Sequence, residues 1–102
     1  EVPFWLTTVL NDLGIDPSVA RSSLDALSAG TRRLLECLRA IHHSGGVCLL
    51  DEPFAGLRQA TAMALVRHLR KEALARSLAI VVVDHDLAFS GLDPSTTFRV
   101  GQ

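Results

Sequence analysis

Two short, wholly apolar runs, each followed by an acidic residue and separated by one long amphipathic stretch, constrain the fold of this chain more than any other feature. Val47-Cys48-Leu49-Leu50 lies between Gly46 and Asp51, and Leu78 to Val83 lies between Ser77 and Asp84. Runs this short suit strands covered on both faces, whereas a buried helix needs greater length. Ala79 to Val83 is also rich in β-branched residues, which favour extended backbone. Between the runs, Leu57 to Ala75 sets Leu65, Val66, Leu69 and Ala73 on one face. Arg67, Arg70, Lys71 and Glu72 mostly occupy the other, as on a surface helix. Strand, helix, strand reads as a βαβ unit with parallel strands and a right-handed crossover. Asp51-Glu52 and Asp84-His85-Asp86 then emerge at one carboxyl edge, where open α/β sheets hold ligands. Neighbouring strands lie about 4.8 Å apart, so these acids and the histidine are expected to share one site.

The remaining pattern is helical. From Pro3 to Leu13 the apolar residues Phe4, Leu6, Val9, Leu10 and Leu13 form a stripe that Gly14 closes. Asp16-Pro17 opens a second, short helix running to Ser22 or Leu24, with Pro17 at its first position. After the break at Ser28-Ala29-Gly30-Thr31, Leu34, Leu35, Leu38 and Ile41 mark an amphipathic helix ending at Ser44-Gly45-Gly46. Thr96 to Val100 is expected as a third, edge strand. Two or three parallel strands leave open edges, so further sheet is expected beyond these residues.

Composition excludes several classes. The 102 residues are 48% hydrophobic and 21% charged, which suits one small globular domain and neither a fibre nor a solvated tail. The longest apolar run, Leu78 to Val83, is far short of the roughly 18 residues of a spanning helix. A formal net charge of −1 offers no basic excess, so nucleic acid is not an expected partner. Arg32-Arg33 and the cluster from Arg67 to Arg76 read as solvated helix faces. Two cysteines and no signal segment point to a reducing cytoplasm. Cys37, His42, His43 and Cys48 match no standard zinc spacing, and the thiols are expected to be free and buried.

Taken singly, Asp51-Glu52-Pro53 reads as a helix cap followed by a first-turn proline, and Ser28 as an N-cap. Order adds information. Leu27-Ser28-Ala29-Gly30-Thr31 opens a helix that leads to Val47-Cys48-Leu49-Leu50-Asp51-Glu52-Pro53, then to Ala55-Gly56-Leu57 and to Val81-Val82-Val83-Asp84-His85-Asp86. This succession resembles the C-terminal half of an ABC-type ATPase nucleotide-binding domain: signature loop, Walker B strand, D-loop and switch histidine. The resemblance implies an α/β, P-loop NTPase-like fold with a mostly parallel sheet flanked by helices. Residues 1–26 would end a small helical subdomain, and 27–102 would form the C-terminal part of the core.

The resemblance also implies roles, each with a chemical reason. Asp51 would hold Mg²⁺, a hard cation that prefers oxygen ligands. Glu52 would act as general base on the attacking water, and His85 would donate to a γ-phosphate oxygen of ATP. Ser28, Gly30 and Thr31, at a helix N-terminus that favours anions, would contact the phosphate of a nucleotide held by the facing subunit. A head-to-tail dimer with a second nucleotide-binding subunit follows, as do transmembrane transporter subunits and a cytoplasmic place at the inner face of the membrane.

The chain departs from the family at several points. No G-x-x-x-x-G-K-[ST] loop occurs, and the only lysine, Lys71, sits between Arg70 and Glu72. With Glu1 read as an internal start, the P-loop is expected from an N-terminal half or another chain, and this chain alone is expected to be inactive. Ala29 and Thr31 replace the first glycine and the glutamine of the usual LSGGQ, and Arg58 stands where the D-loop has aspartate. Two alternatives remain at this level. One is the soluble chromosome-maintenance and DNA-repair branch of the superfamily, disfavoured by the lack of a heptad-rich arm between Glu1 and Leu27. The other is a non-catalytic interaction module on the same scaffold.

Overall fold

A computed structural model describes residues 2–84 of the chain. His85, Asp86 and the strand expected over 96–100 lie outside the described residues. The order is α1 (Phe4–Asp12), α2 (Ala29–His43), β1 (Val47–Asp51), α3 (Gln59–Ala75) and β2 (Ala79–Val83). β1 and β2 pair in parallel, with Val47 opposite Ala79 and Asp51 opposite Val83. The parallel βαβ unit expected from the two apolar runs is therefore present, with α3 as its crossover.

α1 stops as its glycine predicts. Gly14 adopts φ +76°, the Gly14 N–H donates to the Asn11 carbonyl at 3.0 Å, and the Ile15 N–H donates to the Leu10 carbonyl at 2.9 Å. This pair of bonds satisfies carbonyls that a helix end leaves without partners. The stripe differs from expectation at Phe4, which is 85% exposed. Leu6, Leu10 and Leu13 define the buried line, and Phe4 lies two residues from Leu6, about 200° around the helix. Trp5 packs instead, stacking on His42 with ring centroids 3.8 Å apart and planes 6° from parallel. The short helix after Asp16 is a five-residue 3-10 helix, Pro17–Arg21. Its cap is the Asp16 carboxylate, which accepts from the Ser18 N–H at 2.9 Å.

α3 begins two residues later than the pattern suggests, because Leu57 belongs to the preceding loop, where its N–H donates to the Phe54 carbonyl. Arg58 is the N-cap and supplies no side-chain hydrogen bond. The buried face of α3 is Ala62, Ala64, Leu65, Val66 and Leu69, with Ala73 only half-buried. α3 ends in a clamp that the sequence pattern assigned to a solvated face. The Arg76 guanidinium donates to the carbonyls of Ile41 (2.8 Å), His42 (3.1 Å) and Ser44 (2.7 Å), and to Glu72 Oε1 at 3.0 Å. Those carbonyls belong to the end of α2, so one side chain closes two helix termini together.

One core joins Leu6 and Leu10 of α1 and its C-cap Leu13 to Leu34, Leu38 and Ile41 of α2, Cys48 and Leu50 of β1, Leu65 and Leu69 of α3, and Leu78. Burying side chains of this size contributes about 1.5–3 kcal/mol each before conformational entropy is counted. Both thiols are free and buried, as expected, and burial pushes the Cys37 thiol up to about 11. β1 corrects one expectation. Cys48 and Leu50 are buried, but Val47 and Leu49 on the opposite face are 67% and 66% exposed. The helices described cover one face of the sheet, so alternate residues of an apolar strand remain open. Among the described residues, no helix is long and apolar enough to cross a membrane.

Candidate functional site

The carboxyl edge of the two-stranded sheet carries the acidic residues that the motif reading singled out. Because Asp51 pairs with Val83, the residues that follow, Glu52 and Asp84, leave adjacent strands side by side. The sheet continues one bond further, with the Glu52 N–H donating to the Val83 carbonyl at 2.6 Å. Glu52 then turns at φ +53°, a left-handed conformation uncommon for residues other than glycine. Asp51 is exposed at the strand end and Glu52 is half-buried. Pro53 and Phe54 are buried behind them and anchor the loop. Asp51 and Glu52 are thus held at the edge as expected, while His85 and Asp86 lie outside the described residues.

The second group of candidate residues sits at the start of α2. Ser28 caps the helix: its Oγ accepts the Thr31 N–H at 3.1 Å and donates to Thr31 Oγ1 at 2.9 Å. The N-cap reading of Ser28 is therefore realised, and the two hydroxyls form one small polar unit at a helix N-terminus. Gly30 is buried, and its neighbour is the backbone of Gly56. A Cβ at Gly30 would stand 2.7 Å from the Gly56 carbonyl oxygen and 2.9 Å from its carbonyl carbon. Gly56 itself has φ +76°. The requirement for glycine at both positions is thus met inside the chain, by a close approach of two backbone segments.

A further contact joins the same regions. Arg33, one turn into α2, donates from Nη1 to the main-chain carbonyl of Asp51 at 3.2 Å. The first turns of α2 therefore lie against both ends of the segment that carries Asp51 and Glu52. Nothing in residue spacing identified Arg33, which looked like half of a solvated basic pair; Gly56 was visible only as part of a motif.

The chemistry of the edge suits a hard cation. Among the described residues no cluster of three or more histidine, cysteine, aspartate or glutamate side chains could hold a metal alone. An exposed carboxylate such as Asp51 fits Mg²⁺, which usually takes one or two carboxylates and fills its remaining positions with water and phosphate oxygens.

Comparison with known proteins gives a consistent result. An uncharacterized ABC transporter ATP-binding protein of Mycobacterium tuberculosis is 35% identical over 83 residues, covering 81% of this chain and 12% of the relative. A lipopolysaccharide export system ATP-binding protein of Acidithiobacillus ferridurans is 37% identical over 62 residues, covering 61% of this chain and 25% of the relative. An Fe(3+) ions import ATP-binding protein of Rhodococcus jostii is 31% identical over 105 aligned residues, covering all of this chain and 30% of the relative. The chain thus spans about an eighth to a third of the length of these relatives. No family model and no solved structure matches it. The shared sequence and its motifs place the chain among the ABC-type ATPase nucleotide-binding domains.

Proposed function

We propose that the chain supplies the signature loop and the Walker B carboxylates of an ABC-type ATPase that binds and hydrolyses ATP to power membrane transport. The observation that carries this reading is the juxtaposition at the carboxyl edge: Asp51, Glu52 and Asp84 leave adjacent parallel strands beside the Ser28-capped start of α2. Relatives named as import and export ATP-binding proteins support this reading. Residues 1–26 are assigned to the end of the helical subdomain and 27–102 to the ABC core, in a P-loop NTPase-like fold whose remaining strands and P-loop come from an N-terminal half or another chain. The exposed face at Val47 and Leu49 supports this, since an apolar face of a parallel sheet normally packs against further structure.

In this reading Asp51 would hold the Mg²⁺ that accompanies ATP, and the ion would supply neutralisation of phosphate charge. Glu52 orients the attacking water and takes its proton, and the half-buried setting limits competing solvent around that carboxylate. His85 donates to the terminal phosphate. Ser28 and Thr31 contact the phosphate of a nucleotide held by a second nucleotide-binding subunit, for which their hydroxyls exchange part of their mutual bond for one to the ligand. Transmembrane subunits complete the transporter, placing the domain at the cytoplasmic face of the membrane.

The test is Glu52→Gln in the full protein that carries this sequence, which keeps shape and hydrogen bonding but removes the base. Hydrolysis should fall by roughly 10² or more with ATP binding retained, since general-base assistance is typically worth 10²–10⁴. The 102-residue chain alone should release no phosphate from ATP. Hydrolysis by Glu52→Gln at the parent rate would remove the base assignment and with it the catalytic reading.

A further inference from the structure

The outer face of α3 takes no part in the carboxyl edge. Met63, Arg67, Arg70, Lys71 and Leu74 all lie on this helix and all are exposed, Leu74 at 85% and Met63 at 46%. At about 100° per residue they fall within one arc of about 100°, along about 16 Å of helix, directly opposite the buried Leu65 and Leu69. The one acid of α3, Glu72, lies on the far side, where its Oε1 accepts from Arg76 at 3.0 Å. Three of the 10 Lys and Arg residues of the chain therefore share one stripe, although the chain as a whole carries a net charge of −1. Two exposed apolar side chains, Met63 and Leu74, close the stripe at its ends.

We infer that this stripe of α3 is a docking surface for an anionic lipid bilayer. Charge complementarity supplies the attraction, with lipid phosphates meeting Arg67, Arg70 and Lys71. Long arginine and lysine stems lie along apolar surface while their heads stay in water, so Met63 and Leu74 reach the acyl boundary between headgroups. Shape decides against a protein partner: a convex helix ridge without aromatic anchors offers no pocket to an opposing side chain, whereas fluid lipids rearrange around it. A second copy of the chain is a poor occupant too, because two such stripes face to face bring like charges together. Lipid contact here requires neither Glu52 nor bound nucleotide, so it is independent of the activity proposed above.

The test is co-sedimentation of the full protein that carries this sequence with lipid vesicles, without nucleotide. Binding should appear with vesicles of phosphatidylcholine mixed with phosphatidylglycerol and be absent with phosphatidylcholine alone. It should weaken as salt rises from about 0.1 M to about 1 M, where the screening length falls from about 10 Å to about 3 Å. Arg67→Gln and Lys71→Gln should each weaken binding about fivefold, the factor that corresponds to about 1 kcal/mol per cation near an anionic surface, and the double variant about 25-fold. Leu74→Ser should weaken it about tenfold by removing the apolar contact. Arg21→Gln, which removes an exposed cation from a different element, should stay within about twofold of the parent. Every replaced side chain is exposed, so the variants should keep the parent far-ultraviolet circular dichroism, and lipid composition and salt are read on the parent itself. Equal binding to both kinds of vesicle, parent affinity in the double variant, or capture of polyglutamate but not of the anionic vesicles would each overturn the bilayer as occupant. ATP turnover takes no part in the readout, so failure of the proposed function and failure of lipid docking are separately visible.

Discussion

Gly30→Ala is a direct quantitative probe of the contact that seats the loop after β1. A helix interior ordinarily gains about 0.5–1 kcal/mol from replacing glycine by alanine, because the unfolded chain loses backbone freedom. Here the new Cβ would lie 2.7 Å from the Gly56 oxygen, 2.9 Å from the Gly56 carbonyl carbon and 3.2 Å from its Cα. Ordinary contact begins near 3.4 Å, so α2 and the loop must separate by 3.4 − 2.7 = 0.7 Å. Forcing an extra carbon into such a contact typically costs about 1–3 kcal/mol, and the obstruction is backbone, which places the cost in the upper part of that range. The propensity gain offsets part of it, leaving a net loss of about 1–2 kcal/mol. Urea unfolding of the chain followed by far-ultraviolet circular dichroism would measure the loss as a lower midpoint at unchanged slope. Gly45→Ala serves as the control, since a Cβ there meets nothing within 4 Å and the backbone needs no left-handed angle. If Gly30→Ala matched or exceeded the parent in stability, α2 and the loop would not be in contact and the reasoning from that approach would be refuted.

Two further outcomes follow from the same geometry. Arg58 caps α3 without a side-chain hydrogen bond, so Arg58→Asp should stabilise the chain by about 1 kcal/mol through a new acceptor at the helix start, read as a higher urea midpoint. Burial lowers the pKa of His68 from its usual 6.5, with Lys71 acting in the same direction and Glu72 and Asp12 opposing. The unfolded chain then binds a proton more readily than the folded one, so stability is full above about pH 6.5 and falls as the pH drops toward the lower folded value. Replacing His68 by glutamine should flatten that decline in a series of unfolding curves between pH 5 and 7.

The sequence by itself determined the elements and their order. Short apolar runs between a small residue and an acid suited strands, Gly14 and Ser28 stopped and started helices by local hydrogen bonding, and a single helical connection made the strands parallel. Those signals are local, set within a few residues of backbone, which is why they survive without knowledge of neighbours. The motif order carried the family reading for the same reason. What only the tertiary structure decided is contact at long range. Phe4 and Trp5 are both aromatic and adjacent, and which one packs depended on where α2 presents His42. Arg76 and Arg33 looked like members of solvated basic faces until the ends of α2 and β1 offered them carbonyls. Gly30, which the motif explained by the approach of a phosphate, is also required by the approach of Gly56, 26 residues away in sequence (56 − 30). A carbonyl acceptor or a backbone surface has no signature in residue type, so contacts of this kind become legible only when the fold brings the two segments together.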